Sequence, residues 1–599
     1  MAICERFGND RTRLLDILLE VQARFRCVEP SLMECIARRI GTYRVEVEGM
    51  VSFYAFFSSS PRGQVVIRLC DDIIDRHAGT EEIARVFSRI LGIGFGETSP
   101  DGRFSLEYTP CIGMSDQAPA ALLDERVVTC ITPARAEEIA LELMEGLKPG
   151  ELDLPEGDGN NLDPLIGSMV RNNIRLRGEV LLSDVPADAG LHKALRRPPE
   201  QVMEEVERAG LLGLGGAGFP AGRKWRMAAD TPAERRFVIC NADEGEPGTF
   251  KDRVLLTERA DLMIEGMTIA AYAIKASEGI IYLRAEYAYL RRYLETVLQR
   301  RRDQGLLGTD ADGPGGFDIR IQMGAGAYIC GEESALISSC EGLRGEPKNR
   351  PPFPAESGYL GYPTIVGNVE TFCCAARILD RGAAWFRSWG TKASAGTKLL
   401  SVSGDCERPG VYELPFGISV RELLDLAVAP DAAAVQVGGA SGQMINMSQF
   451  DRRICQEDLP TGGSVMVFSA KRNILEIVEY FLDFFIEESC GYCTPCRVGN
   501  VFLKRRIGKI RQGLCQPEDL DYLRELGKTV AETSRCGLGH TSPNPVLSTI
   551  ANFPLVYAAL LKINRDGREA SFNIQSALEE SRYLAKRRSM IYDPTYEGD

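Results

Sequence analysis

The sequence predicts a multidomain α/β protein, and three observations carry that reading. The chain has 599 residues, 44% of them hydrophobic and 26% charged, enough for about three to five ordinary globular domains. Between about residues 165 and 386 short apolar runs alternate with helical patterns. Such alternation predicts a mostly parallel sheet with helices on its faces. From Asn473 the apolar residues recur at helical spacing only.

The elements follow in chain order. "RLLDILLEVQARF" reads as an amphipathic helix, "QVVIRLC" as a strand ending at Cys70 and "FSLEYTPC" as a strand ending at Cys111. "KPGELDLPEGDGNNLDP", rich in Pro, Gly and acids, reads as a linker. "RFVIC" is then a strand leading into a charged loop, and "ADLMIEGMTIAAYAIKA" a helix. "EGIIYLRAEY" is a strand running into a helix, and "FDIRIQMGAGAYICGEESALISS" repeats strand, loop and helix. Ligands of such sheets bind beyond the carboxyl ends of the strands, where the loops at Asn241, Glu286 and Gly324 fall. "KLLSVSGDCERPGVYELPFGISVRELLDLA" has short strands, an R-P-G turn and one helix, and predicts a small α+β module. The patterns "NILEIVEYFLDFFIEESC", "NVFLKRRIGKIRQG", "EDLDYLRELGKTVAET" and "PVLSTIANFPLVYAALL" predict a helical bundle.

Composition narrows the function. A net charge of −14 speaks against nucleic acid as a partner. No apolar run is long enough to span a membrane, and the start lacks the apolar core of a signal peptide. Eighteen cysteines without a leader imply thiols or metal ligands and a cytoplasmic location. Three histidines are few for histidine-based hydrolysis, and cofactor-borne redox chemistry fits better.

Three motifs carry chemistry. "ESCGYCTPCRVG" places Cys490, Cys493 and Cys496 at C-x2-C-x2-C spacing, with Cys536 remote in "SRCGLGH". Three thiols plus one favours a [4Fe–4S] cluster over structural zinc, which usually takes two separated pairs, and over plain buried cysteines. "GLLGLGGAGFPAGRKW" brings glycines up to Arg223 and Lys224. It suits an anion-binding loop or a merely flexible one, and Pro220 and Gly222 break a helix reading after Gly218. "CNADEGEPGTFKDR" gathers acids that either accept hydrogen bonds from ligand hydroxyls or form a solvated loop. Glu332 and Glu333 in "GEESALISS" are explained as well by a helix dipole as by catalysis.

Together with "RPPFPAESG", "VGNVET" and "CGLGHTSPNPVLST", these stretches resemble, in order, the NADH-binding flavoprotein subunit of respiratory complex I and its relatives over about residues 165–560. The resemblance implies a Rossmann-like FMN/NAD domain over 165–392 and a small ubiquitin-like (β-grasp) domain over 393–470. It also implies a C-terminal helical bundle over 471–562 holding a [4Fe–4S] cluster on Cys490, Cys493, Cys496 and Cys536, then a tail over 563–599. It further implies that Gly213, Gly215, Gly216, Lys224, Asn241, Asp243, Tyr282 and Asn368 hold FMN. Phe219, Glu244, Glu246, Glu286, Arg350 and Phe353 would shape the site for the substrate NAD(H). The family carries lysine where Arg350 stands and arginine where Leu214 stands. Hydride passes between two rings held at near-attack distance and needs no obligatory catalytic side chain.

The first segment, through "LLDILLEVQARF" and "VEGMVSFYAFF", is similar to the thioredoxin-like [2Fe–2S] subunit of complex I. That implies a helical plus thioredoxin-like domain over 1–147 and a linker over 148–164. The C-x4-C and C-x3-C pairs of that subunit become Cys70 with Asp75 and Cys111 with Ser115, so no [2Fe–2S] cluster is expected. The fused, degenerate first segment makes the chain most similar to diaphorase flavoprotein subunits of soluble NAD-reducing [NiFe]-hydrogenases. Soluble NAD-dependent formate dehydrogenases and complex I-type enzymes are the alternatives. The implied partners are an iron–sulfur electron-transfer subunit and, through it, a hydrogenase module, in a hetero-oligomer.

Overall fold

The computed structural model describes residues 2–154, 157, 165–166, 170–308, 316–561, 583–584 and 586. Most of the expected linker beyond Leu154 and nearly all of the tail after 562 lie outside these residues.

A parallel four-stranded sheet sits at the centre. Its strands run in the order Asp318–Met323, Glu278–Leu283, Phe237–Ala242, Thr364–Asn368. In chain order that is third, second, first, fourth, so the winding reverses between Phe237–Ala242 and Thr364–Asn368. Such a reversal opens a crevice beyond the strand ends. Asn241 and Asn368 are register partners across it.

Alternate residues of each strand point to opposite faces, and both faces are covered. Val238, Cys240, Ile281 and Ile365 pack with Met263 and Met267 of helix Ala260–Ile274 and Phe372 and Leu379 of helix Val369–Arg381. Phe237, Ile239, Ile280 and Val366 pack with Ile17, Leu18 and Val21 of helix Leu14–Phe25 and Met50 and Val51 of helix Arg44–Phe53. The first helices therefore belong to the core of the central sheet, although the sequence groups them with the segment that follows.

That segment has its own four-stranded sheet, in the order Phe104–Thr109, Val65–Cys70, Ala121–Leu123, Arg126–Val128. The first pair is parallel and the others antiparallel. The strand expected to reach Cys111 stops at Thr109, because Pro110 has no N–H to continue the ladder.

A third sheet of six strands is built from Gln443–Asn446, Ala432–Val437, Ser464–Ser469, Thr397–Gly404, Gly410–Pro415 and Ile174–Leu176, in that order. Its edge strand Ile174–Leu176 comes from before the glycine loop, so the expected boundary at 392/393 does not cleanly separate the two units. Helices Ile474–Glu488, Thr494–Arg511 and Pro517–Thr533 then pack around Leu475, Leu482, Leu503, Ile507, Leu523 and Val546. The last expected helix divides into Asn544–Asn552 and Pro554–Ala558, broken before Pro554. No helix among the described residues is long and apolar enough to cross a membrane.

Candidate functional site

The crevice holds two adjoining cavities of about 570 Å³ and 430 Å³. They share Gly215, Ala217, Asn241, Gly331, Glu332, Asn368 and Gly537 as walls.

The glycine loop forms one lip. Gly213 N–H donates to the Phe219 carbonyl at 2.9 Å, closing the loop on itself. Leu214 N–H donates to Thr371 Oγ1 at 2.9 Å, and the Leu214 carbonyl accepts from Lys398 Nζ at 3.0 Å. Gly218 has φ +65°, and a Cβ there would lie 2.4 Å from Gln456 Cδ. The expected helix break after Gly218 is corrected: helix Ala221–Asp230 begins directly after Pro220. Pro220 stands at the N-cap, where a missing N–H costs nothing. Gly222 lies inside the helix because any Cβ would come within 2.7 Å of Glu207 N on helix Pro199–Ala209.

Most of the expected site residues meet here. Gly213, Gly215, Phe219, Lys224, Asn241, Arg350, Phe353 and Asn368 line the first cavity. Gly216, Asp243, Glu244 and Glu246 line the second. Tyr282 and Glu286 line neither of these two cavities. Tyr282 is buried beneath the sheet, its hydroxyl 2.9 Å from Ser339 Oγ. Glu286 is buried against Arg284 at 2.9 Å, and Arg284 also donates to the Cys111 carbonyl at 2.7 Å. The sequence reading missed Tyr328 and undervalued Glu332 and Glu333, all of which line the cavities. Tyr328 donates to Glu246 Oε2 at 2.6 Å. Glu332 does cap its helix, accepting from Ser334 N–H at 3.0 Å and Ala335 N–H at 2.9 Å. Glu333 pairs with Lys224 at 2.8 Å, and Arg350 pairs with both acids. The signal for these three was their loop, which follows strand Asp318–Met323 at the ligand-binding edge of the sheet.

Charge is sorted between the two cavities. The second is acidic. Burial raises the Asp243 carboxyl well above its usual range, and Asp243 Oδ2 is a buried oxygen with no hydrogen-bond partner. Burial and the nearby Asp252 push Glu244 up to about 7. Its oxygens accept from Asp252 N–H at 2.7 Å, Arg253 N–H at 3.0 Å and the Tyr287 hydroxyl at 2.8 Å. Asn368 donates to Asp252 at 2.6 Å and accepts from Lys251 at 3.2 Å, which fixes its orientation. A buried carboxyl oxygen without a partner, a glycine lip and oriented amides fit the hydroxyl-bearing chain and polar ring edge of a flavin mononucleotide.

The four expected metal ligands also come together. Cys490, Cys493, Cys496 and Cys536 line one small cavity with Ile329, Pro347 and Leu538. Cys493 and Cys536 are the N-cap residues of helices Thr494–Arg511 and Gly537–Thr541. Asn500 Nδ2 lies 3.5 Å from Cys496 Sγ. Four convergent thiols, with N–H donors near them, fit a [4Fe–4S] cluster. His540 is not among them, since its ring contacts the Ser534 carbonyl at 2.7 Å. Ile329 and Leu538 are common walls of this cavity and the acidic one.

In the first segment, Cys70 Sγ lies 3.3 Å from Asp75 Oδ2 and Cys111 Sγ 3.4 Å from Ser115 Oγ. Ser115 donates to Asp72 at 2.9 Å, and Asp75 accepts from Ala120 N–H at 2.8 Å. This buried, internally bonded set of two thiols, two carboxyls and a hydroxyl does not fit a cluster held by four thiolates.

Three family models match the chain. The Nuo51 FMN-binding domain matches residues 206–377. The thioredoxin-like [2Fe-2S] ferredoxin matches 1–144, and the NADH-ubiquinone oxidoreductase-F iron-sulfur binding region matches 476–560. The chain is 46% identical over 580 residues to the NAD-reducing hydrogenase HoxS subunit alpha of Cupriavidus necator, covering 96% of each chain. It is 43% identical to the NADP-reducing hydrogenase subunit HndC of Solidesulfovibrio fructosivorans, over 62% of this chain and 78% of that one. The crystal structure of an NAD+-reducing [NiFe]-hydrogenase in the H2-reduced state superposes with a TM-score of 0.86 at 36% identity, covering 98% of this chain and 99% of that one. At 46% identity over 96% of each chain, the chain belongs to the family of NAD-reducing hydrogenase alpha subunits.

Proposed function

We propose that this chain is the NAD(H)-oxidising or -reducing diaphorase subunit of a soluble NAD-reducing hydrogenase. In that reading FMN and NAD(H) meet in the paired cavities, a [4Fe–4S] cluster sits on Cys490, Cys493, Cys496 and Cys536, and electrons pass to or from an iron–sulfur partner subunit. The observation that carries it is the shared wall: Ile329 and Leu538 separate the acidic cavity from the cysteine cavity, so the two sites are adjacent. Bound FMN supplies the conversion between two-electron hydride exchange and one-electron exchange.

The residues of the chain do the rest. Gly213, Gly215 and Gly216 let backbone N–H groups approach the flavin closely. Asn241, Asp243, Asn368 and Lys224 would hold its polar edge and hydroxyls. Phe219 and Phe353, 39% and 43% exposed at the mouth, flank the flat rings of NAD(H), while Arg350, Glu244 and Glu246 set its polar contacts. Tyr328, Glu332 and Glu333, which line the cavities, add to these contacts. By module, 165–392 is the Rossmann-like unit apart from strand Ile174–Leu176, which joins the sheet of the ubiquitin-like unit at 393–470; 471–562 is the helical bundle, and residues 1–147 contribute the thioredoxin-like unit together with helices that cover the central sheet. That first unit carries no [2Fe–2S] cluster, because Asp75 and Ser115 replace two thiolates.

Flavin and iron analysis with an activity assay tests this reading. The purified chain is expected to release FMN on denaturation and to oxidise NADH with ferricyanide. About four irons per chain are expected, all in one cluster, and Cys70→Ser should leave iron unchanged. A folded preparation without flavin rejects the reading. About six irons, falling in Cys70→Ser, would return a [2Fe–2S] cluster to the first unit.

A further inference from the structure

Three cations stand on the wall of the first cavity, and two of them are neutralised. Lys224 pairs with Glu333 at 2.8 Å and donates to the Val366 carbonyl at 3.1 Å. Arg350 pairs with Glu332, and with Glu333 at 3.4 Å. Arg223 is exposed and, among the described residues, forms no ion pair. The glycine lip adds no cation of its own, because Leu214 is turned into the core at 3% exposure.

We infer that Arg223 holds the diphosphate of the NAD(H) dinucleotide at the mouth of the cavity. The inference rests on the reading of the crevice as the flavin and NAD(H) site. Its guanidinium lies 5.8 Å from the centre of the Phe219 ring, so a ligand ring stacked on Phe219 brings its attached phosphates within reach of the cation. The second cavity offers them no free cation, since the lysine on its wall, Lys251, is paired with Asp252 at 2.6 Å and Glu370 at 3.0 Å, and its other charged lining is carboxyl. The anionic middle of the dinucleotide is therefore drawn toward the mouth, where Arg223 is the cation not already paired. Arg223 also stands in the first turn of the ten-residue helix Ala221–Asp230, whose N-terminal dipole adds to the attraction. A guanidinium, with its fork of donors, suits a diphosphate better than an ammonium does.

The test is steady-state kinetics of the complete enzyme with Arg223→Gln and Arg223→Lys, using NADH and NADPH with ferricyanide. For Arg223→Gln, KM for NADH is expected to rise about tenfold, the loss of one partly exposed charge-assisted contact. Its kcat and bound FMN should stay near wild type. Arg223→Lys should recover part of the loss, and KM should depend less on salt in the Gln variant than in the wild type. An unchanged KM overturns the inference. Loss of FMN from Arg223→Gln also overturns it, because the arginine would then serve the flavin phosphate. A rise in KM confined to NADPH overturns it too, placing the contact on a ribose 2′-phosphate. Absence of flavin or of NADH oxidation in the wild type would instead reject the reading of the crevice itself.

Discussion

Glu286 shows how a single residue can carry the right chemistry in the wrong place. It lies at the carboxyl end of a strand, as a ligand-binding acid should, yet its carboxylate is spent on Arg284 in the interior. Glu286→Ala is expected to destabilise the chain by about 3 kcal/mol, since it leaves a buried guanidinium without its partner. Chemical denaturation reads that loss, while the NADH/NADPH preference of whatever remains folded should not move. Glu244 gives a pH signature. Its carboxyl is raised from 4.5 to about 7 by burial and by Asp252, so the folded state binds a proton that the unfolded state releases. That contribution is fully present below pH 4.5 and is lost as pH rises through about 7. The melting temperature of the wild type relative to Glu244→Gln should therefore be higher at pH 5 than at pH 8, and a flat difference contradicts it. The cysteines and glycines of the site were legible because spacing and backbone freedom are local properties. Tyr328 and Tyr282 were not distinguishable that way: Tyr282 lies within strand Glu278–Leu283 with its side chain in the core, while Tyr328 lies in the loop after strand Asp318–Met323 and reaches the cavity.

At the scale of elements, the helix Ala221–Asp230 connects the glycine lip to the core. The sequence suggested no helix there because Pro and Gly are read as breakers. The structure uses Pro220 as a start and Gly222 as the point of contact with helix Pro199–Ala209. Gly222→Ala is expected to push the two helices apart, displace Lys224 and weaken FMN retention, while the helix itself gains propensity. Flavin content after dialysis, compared with circular dichroism, separates the two effects. The cysteine loop is a second such element. Cys493→Ser should abolish nearly all iron and lower the stability of the helices at 494–541, because cluster binding holds their N-termini together. FMN should stay largely bound, and its loss together with the iron would show that the two sites fold as one unit. The placement of helices Leu14–Phe25 and Arg44–Phe53 on the central sheet was not legible in the sequence. The apolar stripe of the first showed that it has a buried face, but a stripe does not say which of two neighbouring sheets it covers.

For the whole molecule, three sheets and a group of helices are arranged so that one crevice and one cysteine cavity share Ile329 and Leu538. The alternating pattern made the central sheet and its ligand-binding edge legible, and the motifs along that edge made the cofactors legible by family resemblance. The adjacency of the two sites was not, since it depends on strand Asp318–Met323 ending beside a loop more than 150 residues away in sequence. It is this adjacency that lets one chain join hydride exchange to single-electron exchange. Anaerobic titration of the purified chain with NADH, followed by visible absorption and EPR, examines it. The flavin absorption is expected to bleach and the signal of one reduced [4Fe–4S] cluster to appear as NADH is added. Flavin that bleaches while the cluster stays oxidised, or a chain whose spectrum NADH leaves unchanged, would contradict the proposed electron path.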